Sequence, residues 1–361
     1  MTSVRTHTSA SSLVQPSSMP ATVMTAISLP EDLNPVPSEM AADPLNGGVW
    51  FWSEVGPEAK LVHVSDSGTA KEYDIGDALT VGLLTADLTP IAVGSDGTVW
   101  MAAGSTVVRF VPASGAVTAW SIDSTGGSSG GTPQRGITSI SLNPTGSTVA
   151  IAVNDGEVSL LSVANGTFST PPGSLTGAPV SVAYLSDGTL EVGSLGVRGV
   201  GGEVESIRPD SQIESVADAT QYLTPDGTSV LAAGGNLSLV DGSSSTTLAT
   251  SEAGDLYLNE RVAVTSMGDI VVPSVSGLAI MSSSGVIEDT LDLPEFSCPG
   301  VSEPGVSDPG LVTSSTLSSS SPECPQSAEA VAVGSVGTLY FFTSGPAAVL
   351  ESVAASSLPT S

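Results

Sequence analysis

The stretch SDGTVWMAAGSTVVRFVPASGAVTAWSI (95–122) holds two glycine turns, each leading into a run of alternating apolar residues. Asp96-Gly97 opens the strand TVWMA, STVVRFV (105–111) returns, and a turn at Gly115 leads into AVTAWSI (116–122). Apolar side chains at every second position give each strand one inward face. Asp-Gly between two such strands predicts a type I′ hairpin, which needs positive φ at both central residues.

The same pattern recurs along the chain. It reads PLNGGVWFW at 44–52, GSDGTVWMA at 94–102, NPTGSTVAIAV at 143–153 and LSDGTLEVG at 185–193. It continues as TPDGTSVLAA at 224–233, TSMGDIVVP at 265–273 and GSVGTLYFF at 334–342. The turn glycines Gly48, Gly97, Gly146, Gly188, Gly227, Gly268 and Gly337 are spaced by 49, 49, 42, 39, 41 and 69 residues. Spacings of about 40–50 are those of one four-stranded propeller blade. A second turn at Gly68, Gly115, Gly166, Gly242 and Gly285 supports the same unit of strand, hairpin, two strands, hairpin and strand. In the fourth repeat Asp210-Ser211 takes the place of that second glycine.

Seven repeats predict an all-β, seven-bladed β-propeller of four-stranded antiparallel blades over 21–355. Residues 1–20 and 356–361 are read as tails, and 294–328 as an insertion. The last repeat stops one strand short, while ATVMTAISLP (21–30) is a spare strand. We therefore expect 21–30 to pair with 347–353 and close the ring, which removes an unpaired edge.

Composition narrows the function. Of 361 residues 40% are apolar, so a core is available, but only 12% are charged, about half the usual share. Eight Lys and Arg against 37 Asp and Glu leave a formal charge of −29. That field disfavours nucleic acid and anionic membrane surfaces as partners. No apolar run is long enough to span a bilayer, and residues 1–20 lack a signal-peptide core. A surface covered by Ser, Thr, Gly and Asn suits an extracellular or cell-surface setting.

Cys298 and Cys324 bracket a Pro/Ser/Gly segment with almost no core-forming residue. Two thiolates without a neighbouring His make half a zinc site, whereas a disulfide would restrict a long loop. A Cys298–Cys324 bridge and an oxidising compartment are expected.

GGVWFWSEVGPEAKLVHVSDSGTAKEYDI (47–75) resembles one blade of the streptogramin B lyase (virginiamycin B lyase) family, through Trp50, Phe51, Glu54, Gly68, Glu72 and Tyr73. The repeat at 95–122 follows with Trp100 and Trp120; the other repeats look like NHL- or WD-type blades. The resemblance implies a propeller whose lyase chemistry uses channel histidines beside a Glu and a divalent cation. This chain has two histidines, His7 in the N-terminal tail and His63 in the third strand of the first blade. Arg135 stands where the family places a His before Gly-Ile-Thr. No imidazole base is available on that template, and no catalytic residue is assigned.

Functional groups of a propeller gather on the loops between blades. There Arg135 and Arg198 are candidates for gripping a carboxylate or sulfate, with Glu54 and Glu203 nearby in the same class of loop. Asp155, Glu260 and Arg261 are further loop charges. Trp50, Phe51 and Trp100 are expected to pack between blades. No cofactor or metal site is expected. The reading is a monomeric recognition or scaffolding module for a protein or glycan partner on the loop-rich face. The alternative is a lyase- or hydrolase-like enzyme working through carboxylates and a divalent cation.

Overall fold

The computed structural model describes residues 24–30, 33–55, 58–75, 90–122, 136–153, 156–173, 175, 177–195, 203–210, 212–217, 229–233, 236–241, 244–250, 262–265, 268–274, 277–282, 284–293, 296–297, 323–324, 328–343 and 349–354. Strands account for every regular element among them, and no helix there is long and apolar enough to cross a membrane.

Each repeat is one antiparallel sheet. After β1 (Met24–Ile27) come β2 (Asn34–Ala42), β3 (Val49–Val55), β4 (Glu58–Val64) and β5 (Ala70–Asp74), the first sheet. The second holds β6 (Ile91–Val93), β7 (Val99–Ala103), β8 (Thr106–Val111) and β9 (Ala116–Ser121). The third holds β10 (Ile137–Leu142), β11 (Thr148–Val153), β12 (Glu157–Ser162) and β13 (Phe168–Ser169). The fourth holds β14 (Ala178–Tyr184), β15 (Leu190–Leu195), β16 (Glu203–Ile207) and β17 (Ile213–Ala217).

The fifth shows three strands, β18 (Ser229–Ala233), β19 (Asn236–Asp241) and β20 (Ser244–Thr250); its expected first strand falls within 218–228, outside the described residues. The sixth holds β21 (Ala263–Val264), β22 (Ile270–Ser274), β23 (Gly277–Met281) and β24 (Ile287–Asp292). A short ladder of β25 (Phe296–Ser297) and β26 (Glu323–Cys324) precedes β27 (Ala328–Val333), β28 (Leu339–Thr343) and β29 (Val349–Val353).

The spare N-terminal strand pairs where the sequence placed it. β1 lies antiparallel to β29, with Met24 opposite Val353 and Ile27 opposite Leu350, and so becomes the fourth strand of the seventh sheet.

Apolar seams join neighbouring sheets. β27 packs on β2, β2 on β6, β6 on β10, β10 on β14, and β22 on β27. Phe51, Val49 and Val62 meet Tyr340, Phe342 and Leu350 between the seventh and first sheets. Trp50 and Trp52 meet Val99, Met101 and Phe110 between the first and second. Trp50, Phe51 and Trp100 are all at most 1% exposed, which makes them inter-sheet core as expected. Full burial of each such ring stabilises by roughly 2–3 kcal/mol.

The hairpins correct the sequence reading in one respect. Gly97 N–H donates to the Gly94 carbonyl at 2.8 Å, and Gly94 N–H donates to the Thr98 carbonyl at 2.8 Å. Three residues thus separate the paired ends, a turn closed by a glycine bulge rather than a two-residue type I′ loop. Gly97 sits at φ 74°, and the Asp96 carboxylate accepts the Thr98 N–H at 3.0 Å. Asp187 and Thr189 repeat this geometry in the fourth sheet. In the same sheet, Arg208 N–H donates to the Gln212 carbonyl, so the turn at Asp210 forms without glycine.

Candidate functional site

The four proposed binding residues do not form one described constellation. Glu54 lies near the end of β3, opposite Ala59 of β4, and Glu203 opens β16 opposite Ser194. They belong to the first and fourth sheets, and their side chains are outside the described atoms. Arg135, Arg198, Asp155, Glu260, Arg261 and Cys298 lie outside the described residues. Cys324 ends β26 opposite Phe296, so this short ladder lies within the 294–328 insertion.

The described polar centre is one that sequence reasoning missed. Asp43, at the end of the first strand of the first sheet, is fully buried. Its Oδ1 accepts the backbone N–H groups of Leu45 and Asn46, both at 2.9 Å. Its Oδ2 accepts Trp50 Nε1–H at 3.0 Å and Asn46 Nδ2–H at 3.2 Å. Burial alone would raise the carboxyl's pKa. The donors from Asn46, Trp50 and Leu45 outweigh it and hold the group below its usual range.

His63, next to last in β4, completes this cluster. Its ring packs at a tilt against Trp50, with centroids 4.5 Å apart. Its Nε2 lies 2.9 Å from the Gly47 carbonyl and 3.4 Å from Asp43 Oδ2. A carbonyl only accepts, so Nε2 carries a proton and donates it. Held in this way, the Nε2 position braces the 43–48 turn and is closed to a substrate proton. Gly48 is required beside it: φ is 80°, and a Cβ would run into the Val64 carbonyl oxygen.

A second polar contact ties the seventh sheet to the first. Tyr340 Oη–H donates to Asp66 Oδ1 at 3.0 Å, and the same oxygen accepts Gly48 N–H at 2.7 Å. Burial and then the Asp66 carboxylate push the Tyr340 phenol well above its ordinary pKa, so it remains a donor.

In the second sheet Arg109 occupies the ladder position that His63 occupies in the first, opposite the sheet's tryptophan. Its guanidinium lies 5.8 Å from the Trp100 ring centroid, and Trp100 stacks on Trp120 at 5.7 Å. The two cross-strand pairs, Trp50 with His63 and Trp100 with Arg109, are therefore bracing units. In the two repeats Trp50 and Trp100 are followed by His63 and Arg109 in the next strand, thirteen and nine residues later, which was the available signal.

Buried carboxylates were also unforeseen. Glu191 in β15 stands where other repeats hold Trp50, Trp100 and Tyr340; it is 1% exposed and its Oε1 accepts Ser206 Oγ–H at 3.5 Å. Glu205 and Glu351 are likewise buried, and desolvation raises the Glu351 pKa. Among the described residues no group of three or more His, Cys, Asp or Glu side chains is placed to hold a metal ion.

Against known proteins, no family model and no curated sequence matches the chain. Solved structures do. A streptogramin B lyase superposes with a TM-score of 0.60 at 14% identity, covering 91% of this chain and 97% of that one. The chain is a β-propeller. A catalytically inactive virginiamycin B lyase from Staphylococcus aureus with quinupristin gives 0.59 at 12% identity, covering 92% of this propeller and 99% of that chain. The U3-55K structure gives 0.60 at 10% identity, covering 93% and 99%. At such identities the likeness carries the fold and no activity, and it is shared by a lyase and by WD40-type propellers, among them the RRP9 WD40 repeats.

Proposed function

We propose that this propeller is a non-catalytic, extracytoplasmic recognition module that holds a protein or glycan partner on its loop-rich face. One observation carries the reading: His63, the one histidine within the repeats, donates through Nε2 to the Gly47 carbonyl and packs on Trp50. Acid–base chemistry of the lyase kind needs a mobile imidazole facing a channel, and here the imidazole is part of the blade. The expected face carries Arg135 and Arg198, two of only six arginines in a chain of charge −29. Planar, always-charged guanidinium groups would grip a carboxylate or sulfate by bidentate contacts, locally offsetting the repulsion of the surrounding negative field.

The test is binding of the purified chain to an array of carboxylated and sulfated oligosaccharides. The expected result is retention that falls about tenfold in the Arg135→Ala/Arg198→Ala variant, a loss of roughly 1.4 kcal/mol. Circular dichroism should show the variant folded. Equal retention of variant and wild type would remove the arginines from the site. Saccharide cleavage by the wild-type chain would favour the carboxylate enzyme instead.

A further inference from the structure

We propose that β24, the outer strand of the sixth sheet, is a docking edge for an extended, cation-bearing segment of a protein partner, which adds beside it as a fifth strand. Three independent features lead there.

The first is the edge itself. β24 ends the order β21-β22-β23-β24, and nothing among the described residues pairs with its outer side. Unpaired strand edges are adhesive, and proteins blunt them with short strands, Lys or Pro. Three of the other outer strands here are blunted in these ways. β13 has two residues and is followed closely by Pro171 and Pro172, β1 has four, and β5 carries Lys71. β24 runs for six residues without Lys, Arg or Pro.

The second is apolar exposure. Val286 is 60% exposed and Ile287 42%, adjacent β-branched side chains at the entry to this strand. β9, the other six-residue outer strand with described side chains, has one such residue, Val117, at 36%, and no charge.

The third is charge. From residue 262 to 361 the chain has ten Asp and Glu and no Lys, Arg or His. Glu288 is exposed on β24, and the register shift between Ile280 and Met281 leaves it out of the ladder. Asp289 follows it directly. Backbone pairing would supply affinity, Val286 and Ile287 the apolar contact, and the carboxylates the choice of a Lys- or Arg-bearing segment.

The probe is a fluorescein-labelled octapeptide, Lys-Val-Lys-Val-Thr-Val-Lys-Val, compared with its counterpart in which Glu replaces each Lys. Anisotropy titrations use the full chain at low and high salt. The Lys peptide should bind, weakening with salt, and the Glu peptide at least about tenfold less tightly. The double variant Ile287→Lys/Glu288→Lys should lose binding by a similar factor, and Thr118→Lys on β9 should not. Both altered side chains are exposed, so melting should be unchanged, and a folded variant keeps the comparison decisive.

Equal binding of the two peptides, equal binding of the double variant, or no binding of the Lys peptide overturns the proposal. So does a concentration-dependent dimer abolished by the same variant, since a second copy would then own the edge. None of these outcomes touches Arg135 or Arg198, so this docking edge and the loop-face reading stand or fall separately.

Discussion

Replacing Asp43 by Ala removes the acceptor of four hydrogen bonds and strands the Trp50 indole N–H in a buried seam. Loss of about 3 kcal/mol is expected, read as a lower denaturation midpoint. The pH dependence follows from the sign of the shift. Asp43 is held below its ordinary 3.8, so its contribution is present above that value and is lost as pH falls through the lower folded pKa. Glu351 behaves oppositely: its folded pKa is raised above 4.5, so the folded state holds its proton more tightly. Stability therefore falls as pH rises through 4.5 to the folded value, and Glu351→Gln should flatten that part of the curve. Melting temperatures of both variants between pH 2.5 and 7 check this; an unchanged profile in Glu351→Gln would remove the effect. None of these residues was legible beforehand. Asp43 precedes its turn like any loop acid, and only three-dimensional packing shows that it caps the turn and holds the Trp50 indole.

The elements were legible because each blade writes its own punctuation. A turn glycine marks every first hairpin, and alternation marks the strands on either side, so β3, β7, β11, β15, β22 and β28 were readable from single repeats. Turn type was not, because Asp-Gly serves both a two-residue loop and the bulged turn seen at Gly94–Thr98; the choice rests on register between strands. The pairing of β1 with β29 was legible only as arithmetic, one strand missing and one left over. That pairing predicts that deletion through Ile27 lowers the melting temperature, because it uncovers β29 and takes Ile27 from a seam shared with Leu350 and Phe342. The expected Cys298–Cys324 bridge stands apart from the ladder of β25 and β26, which sets Cys324 opposite Phe296. Such a bridge would stabilise by roughly 3–4 kcal/mol. Alkylation of the native, unreduced chain followed by mass spectrometry should show no modified thiol; two modified cysteines would sink the idea.

At the scale of the molecule, the same propeller serves a lyase and WD40 proteins, so activity has to be decided by side chains rather than by superposition. The purified chain should not open the ring of quinupristin, with or without added magnesium. Elimination from a cyclic depsipeptide needs one group to take a proton beside a carbonyl and another to assist the departing oxygen. In this chain His63 spends Nε2 on the Gly47 carbonyl and lies against Trp50, within the first blade rather than free on a loop. Arg135 stands at the matching loop position in sequence, and a guanidinium stays protonated at any working pH, so it polarises a carbonyl but abstracts nothing. Loss of one positioned acid–base group costs about 10²–10⁴-fold in rate, and more than one is missing. Substituting His63 by Ala should therefore lower stability, through the lost brace on the 43–48 turn, and leave ring opening at the buffer rate. Chromatography of quinupristin after overnight incubation decides it. Magnesium-dependent opening that disappears in His63→Ala, with the variant still folded, would return the imidazole to catalysis and overturn the proposal that this propeller is a binding module.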